Sequence, residues 1–161
     1  MILDIVDRKD PILTTKCDAF DFNEPVRPPF DLAVELVTTF RHHGYPSIST
    51  NEVGINARVI ALESHPALVM FNPTITKTFG EEVTLEETDL ARKGLVCKVK
   101  RPIGVRVRFQ DYNGDWNLEK YVGMTARLIQ HAVDNIDGLT FLDKANTFHR
   151  QQALKKFKRM K

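Results

Sequence analysis

Residues Gly123–Gly138, GMTARLIQHAVDNIDG, decide the fold. Ala126, Ile129, Val133 and Ile136 recur at three- and four-residue spacing and so fall on one side of a helix, while Leu128, His131 and Asn135 share another. Apolar residues on several faces predict a central, largely buried helix. Thr125 is the expected N-cap, and Asp137-Gly138 the stop.

Working outward, Pro28–His43 reads as a second helix. Pro28 and Pro29 suit its entry, Gly44 its close, Phe30, Val34, Val37 and Arg41 mark one side, and Leu32, Leu36 and Phe40 widen the apolar face for packing on a sheet. Strands are expected at Ala57–Leu62, Ala67–Asn72, Leu95–Val99 and Gly104–Gln110, where β-branched content is high. Asn113-Gly114 is a hairpin signal leading into Trp116–Val122. A basic C-terminal helix is expected over 146–161; from Lys144 to Lys161 there are seven Lys or Arg and no Asp or Glu. The fold class is α+β, with antiparallel or mixed sheets around the central helix.

The 161 residues fit a single domain over 1–161, within the roughly 100–200 residues typical of one. No apolar run reaches the roughly 20 residues of a membrane span, and Met1–Asp10 alternates apolar with acidic residues, unlike a signal peptide. A cytoplasmic protein with no membrane partner is expected. Cys17 and Cys97 form no CxxC, which argues against a zinc knuckle or a disulfide framework. The net charge of +2 conceals a split: residues 1–91 carry 7 Lys/Arg against 15 Asp/Glu, a net of −8, and residues 92–161 carry 16 against 6, a net of +10.

The central stretch resembles the signature helix of peptide deformylases, ARxxQHExDHxDG: Ala126, Arg127, Gln130, His131, Asp134, Asp137 and Gly138 stand at the matching positions. Asp10-Pro11-Ile12-Leu13 is similar to that family's DPxL, Lys98–Pro102 to the KVKRP of its short phage-type members, and Phe141–Asn146 onward to their ending. The resemblance covers nearly the whole chain and implies the deformylase fold.

That family carries three motifs, GxGLAAxQ, EGCLS and HExDH. Their Cys and two His hold a divalent metal, usually iron, the Glu handles protons, and the Gln with a backbone N–H stabilises the oxyanion. In the third motif His131 matches the first histidine, but Ala132 stands at the Glu and Asn135 at the second histidine. HExxH works because residues i and i+4 share a helix face and reach one ion. Without gaps, Glu86–Ala91 falls on EEGCLS, with Glu87 and Leu90 matching and Asp89 in place of the cysteine. A gapped alternative puts Lys93–Cys97 there instead. In the first motif Glu52 takes the Gln position, and an ionised carboxylate donates no hydrogen bond and repels an oxyanion.

The degenerate catalytic positions are therefore Glu52, Leu90 and Ala132, and the degenerate metal positions Asp89, His131 and Asn135. No metal or other cofactor is expected. Asp89 with Glu52 as a hard-cation site, Cys97 as a nucleophile and His42-His43 as ligands are each weaker than a structural reading. The expected function is a deformylase-like pseudoenzyme working through protein–protein contacts, with phage structural proteins or other copies of itself as partners and the virion as a further location. The basic helix suits an acidic surface or RNA. The alternative is an active deformylase with a rearranged site holding iron, nickel or zinc.

Overall fold

The structure, a computed structural model, describes residues 1–160. Along the chain come α1 (Pro29–His42), β1 (Ser47–Ser49), β2 (Val59–Leu62), β3 (Leu68–Glu87), β4 (Cys97–Gln110), β5 (Trp116–Val122), α2 (Gly123–Ile136), α3 (Phe141–Lys144) and α4 (Thr147–Arg159). Short 3-10 turns occupy Pro11–Thr14, Thr50–Val53 and Leu90–Arg92. The five strands form one sheet in the order β1-β2-β3-β4-β5, each neighbour antiparallel, so the mixed option is corrected to an all-antiparallel sheet. The α+β class stands.

β2 shows how the core is divided. All four of its residues are buried. Val59 and Ala61 join Leu32, Leu36 and Phe40 of α1, whereas Ile60 and Leu62 join Ile129, Val133 and Ile136 of α2. Alternate side chains of a strand leave on opposite faces, so the two helices cover opposite faces of the sheet. On α1 the expected residues Leu32, Leu36 and Phe40 are buried, with Ala33, whereas Phe30 and Val34 on the other apolar side are exposed, which narrows the expected face. They border a groove that also includes Tyr112 and Tyr121.

Two strands expected as short pieces are long. β3 runs through Pro73 and Gly80 to Glu87, and β4 starts at Cys97, two residues later than the expected Leu95, and runs on through Pro102 into Gly104–Gln110. Proline and glycine read as breaks in sequence, but here they sit at or beside register shifts between Phe71 and Thr74 and between Phe79 and Glu82. Gly104 makes the second irregularity possible, because a Cβ there would lie 2.2 Å from the Phe79 ring. The far half of this hairpin packs Leu95, Cys97 and Val99 on Phe141 and Ala153 of α3 and α4.

α2 begins at Gly123, with Val122 rather than Thr125 at the N-cap. Its end is held by Gly138 at φ +80°, as the Asp137-Gly138 reading requires. The Asp10 carboxylate caps the turn at Pro11–Thr14 through the Ile12 N–H at 3.0 Å, and the Cys17 N–H donates to the Ile136 carbonyl at 2.8 Å. The N-terminal segment is thereby fastened to the end of α2. α4 starts on an Asn146 cap, and Lys161 lies outside the described residues. No described helix is long and apolar enough to cross a membrane.

Candidate active site

Three pieces of chain meet at α2: the turn after β1 with Glu52, the loop between β3 and β4 with Asp89, and the helix itself with His131 and Asn135. All four side chains are buried. Asn51 Nδ2 donates to the Asn135 carbonyl at 2.7 Å, and Glu52 Oε2 accepts from the Ala91 N–H at 3.1 Å. His131 Nε2 stands 3.8 Å from Asp89 Oδ2. Ala132 and Leu90 are buried alongside.

His131 is oriented by Glu87. Its Nδ1 lies 2.8 Å from Glu87 Oε1, and the ring stacks on Phe141 with centroids 5.6 Å apart. Arg101 binds Glu87 through two nitrogens, at 2.6 and 2.9 Å, and reaches Asp134 at 2.8 Å. Arg127 adds a contact at 2.6 Å to Glu87 and donates to the Val83 carbonyl. Burial alone would raise the Glu87 carboxyl, but the hydrogen bonds from His131 and Arg101 and their charges outweigh it and bring it down to about 2. His131 behaves conversely: burial opposes its protonated form, yet Glu87 and Asp89 hold its pKa above the ordinary value.

Glu52 is different. Burial, and then the neighbouring Asp89 charge, push its carboxyl up to about 7. Its oxygens are already engaged, Oε1 by the Ser49 N–H at 3.0 Å and Oε2 by Ala91, so it ties two loops together and has no N–H to offer an oxyanion. Asp89 is neutralised by Arg92, whose Nη1 lies 2.8 Å from Oδ2, with both groups buried. Arg92 was not singled out in the sequence, although its i,i+3 spacing from Asp89 in a turn was the available signal.

The donor set can be tested against the metal that the resemblance implies. His131 is presented as a metal ligand would be, with Nδ1 on a carboxylate and Nε2 buried without a hydrogen-bond partner. Asp89 Oδ1 and both amide atoms of Asn135 are likewise unpartnered. The remaining donors do not fit. A carboxylate already paired with a guanidinium and a neutral amide oxygen replace a thiolate and an imidazole, far from the soft N/S set that such sites use. Among the described residues no three His, Cys, Asp or Glu side chains are grouped to hold an ion.

Cys97 begins β4 and is buried with Leu95, Phe141 and Ala153, its Sγ 3.6 Å from the Lys98 carbonyl. Asp89 Oδ2 lies 3.8 Å from His131 Nε2, as the ungapped alignment requires, while Cys97 is paired in register with Glu87. Above His131 opens a cavity of about 490 Å³ lined by Tyr45, Pro46, Leu85, Asp89 and Met124. Lys98, Lys155, Lys156 and Arg159 border a second groove of about 610 Å³ along α4. His42 and His43 stack edge to face, with centroids 5.0 Å apart, at the end of α1.

Comparison with known proteins follows the same lines. The family described as polypeptide deformylase matches residues 2–151. A peptide deformylase of Desulforudis audaxviator is 32% identical over 154 residues, spanning 94% of this chain and 98% of that protein. A Brucella melitensis protein named peptide deformylase-like is 28% identical over 160 residues, 97% of this chain and 96% of its own length. Among solved structures, the Synechococcus elongatus peptide deformylase in complex with actinonin superposes with a TM-score of 0.86 at 27% identity, covering 97% of this chain and 86% of that one. A plant peptide deformylase, PDF1B, reaches 0.89 at 23% identity over 98% and 88%, a likeness of fold. With motif order, sheet, buried helix and whole-length relatives in agreement, the chain belongs to the peptide deformylase family.

Proposed function

We propose that this chain keeps the deformylase fold without the deformylation chemistry and acts by binding other macromolecules. The pairing of Asp89 with Arg92 carries this reading. The position that would hold an anionic metal ligand instead holds a carboxylate whose charge a side chain of the same turn already balances. Ala132 offers no proton-transfer group, and loss of a general acid or base alone costs about 10²–10⁴-fold in rate. Glu52 adds a group that repels a developing oxyanion when ionised.

One observation favours the enzyme reading: the Glu87-held His131, with Nε2 free, is arranged as a ligand. A single experiment separates the two. The protein is produced with iron, nickel or zinc supplied, and bound metal and turnover of a formyl-Met peptide are measured on the same preparation. Stoichiometric metal with turnover overturns the binding-protein reading. With neither present, the variant Asp89→Cys, Ala132→Glu, Asn135→His, made with Arg92→Met, is expected to regain metal if the scaffold is otherwise intact.

The finer form of the proposal is a structural part of a bacteriophage particle, in the bacterial cytoplasm and then in the virion, in contact with phage proteins. It rests on the phage-type Lys98–Pro102 run, and mass spectrometry of purified particles tests it. The groove along α4 is offered to an acidic protein surface or RNA.

A further inference from the structure

β5 is an edge strand whose outer side is left open. Its backbone pairs with β4 from Gly104↔Val122 to Gln110↔Trp116, and among the described residues no other element hydrogen-bonds to it. The hairpin is closed by the Asp111 N–H on the Asp115 carbonyl at 2.9 Å. Counting on from that bonded pair, Asn117, Glu119 and Tyr121 direct their peptide groups at β4, and Trp116, Leu118, Lys120 and Val122 direct theirs outward. The same four side chains share one face, and Trp116, Leu118 and Val122 are 51, 55 and 62% exposed. Proteins usually blunt such an edge with charge, proline or a covering element. Here its seven residues carry one Glu and one Lys.

We infer that β5 pairs antiparallel with β5 of a second copy of this chain, around a two-fold axis at Leu118. The charges select that register. An axis at Glu119 sets Glu119 against itself, and one at Lys120 sets Lys120 against itself; directly opposed like charges destabilise a sheet. An axis at Leu118 sets Leu118 on Leu118, Asn117 against Glu119, and Lys120 of the partner subunit against Trp116. Arg108 already stacks on that indole, its guanidinium carbon 3.6 Å from the ring centroid. A half-exposed Trp116 therefore presents a surface to a second cation. The axis stands perpendicular to the sheet, so faces are kept and two five-stranded sheets become one of ten. The contact is isologous and closes as a dimer.

Light scattering of the full chain at high micromolar concentration is expected to give twice the 18.4 kDa protomer mass. Leu118→Lys, at an exposed position, is expected to give the protomer mass with an unchanged circular-dichroism spectrum, and with a melting temperature that, unlike that of the wild type, does not rise with concentration. The register has its own test. Asn117 and Glu119 of opposite copies form a non-bonded pair about 4.5 Å apart at Cα, within disulfide reach. Asn117→Cys and Glu119→Cys are each expected to stay uncrosslinked alone under oxidation and to form a covalent dimer when mixed. A wild-type chain that stays at protomer mass overturns the proposal, as does crosslinking of Glu119→Cys by itself.

Discussion

Arg92 Nη1 lies 2.8 Å from Oδ2 of Asp89, and both residues are buried beside His131. In the binding-protein reading proposed above, this pair balances the Asp89 charge that a metal ion would otherwise meet. Removing one member of a buried ion pair strands the other, typically at a cost of about 3–5 kcal/mol. Arg92→Met is therefore expected to lower stability by that order in denaturant titrations at pH 7. Arg92→Met with Asp89→Asn is expected to recover most of the loss, since no charge is then stranded. Equal destabilisation by the single and double variants would mean that Arg92 acts through packing alone.

Glu52 predicts a pH dependence. Its carboxyl is raised from 4.5 to about 7 by burial and by Asp89, so the folded state holds a proton that the unfolded state releases earlier. Stability from this group is complete below pH 4.5 and falls as pH rises through 7, by on the order of 3 kcal/mol for the full shift. His131, also raised, adds to the same slope. Glu52→Gln accepts from the Ser49 N–H but turns an NH₂ toward the Ala91 N–H, so it forfeits one hydrogen bond. The expected result is a melting temperature that declines less between pH 5 and pH 8 than in the wild type, whatever its absolute value.

The central helix was legible because its repeat at Ala126, Ile129, Val133 and Ile136 reports a physical necessity: each of these residues is buried. The motif positions were legible as positions, since Asp89, His131, Asn135 and Glu52 lie on three pieces of chain that meet. What they do there was not. Glu87 was a motif match by letter, and only the structure shows that it collects Arg101, Arg127 and His131 from residues 14, 40 and 44 positions away. Side-chain pairs at such separations leave no periodic trace. The long β3 and β4 escaped for a local reason, because Pro73, Gly80 and Pro102 mimic strand ends.

Glu87 contributes to the raised pKa of His131, so neutralising it is expected to shift the imidazole. His131 owes its raised pKa to the hydrogen bond and charge of Glu87 together with the charge of Asp89, against burial. Glu87→Gln removes one of those charges and weakens the hydrogen bond. An NMR titration of the His131 ring is expected to show a lower pKa than in the wild type. The variant also leaves Arg101 and Arg127 short of an anion, with an expected loss of about 3–5 kcal/mol. An unmoved imidazole would assign its protonation to Asp89 alone.

Gly138 and Gly114 share a left-handed backbone, at φ +80° and +85°, yet differ in their surroundings. A Cβ at Gly114 would meet Phe22 at 3.5 Å, an ordinary contact, so Gly114→Ala is expected to cost only the roughly 1–2 kcal/mol of the left-handed conformation. At Gly138 the Cβ would lie 2.9 Å from backbone atoms of Thr14, Thr15 and Lys16, which cannot rotate aside as a side-chain tip can. Gly138→Ala must displace that segment and strain the Cys17 N–H bond to Ile136, adding about 1–3 kcal/mol of overpacking. Cys17, 3% exposed in the native fold, reports the movement directly. Its reaction with a thiol reagent is expected to be faster in Gly138→Ala than in the wild type and unchanged in Gly114→Ala; equal rates in all three would show that the N-terminal segment is not held by the end of α2.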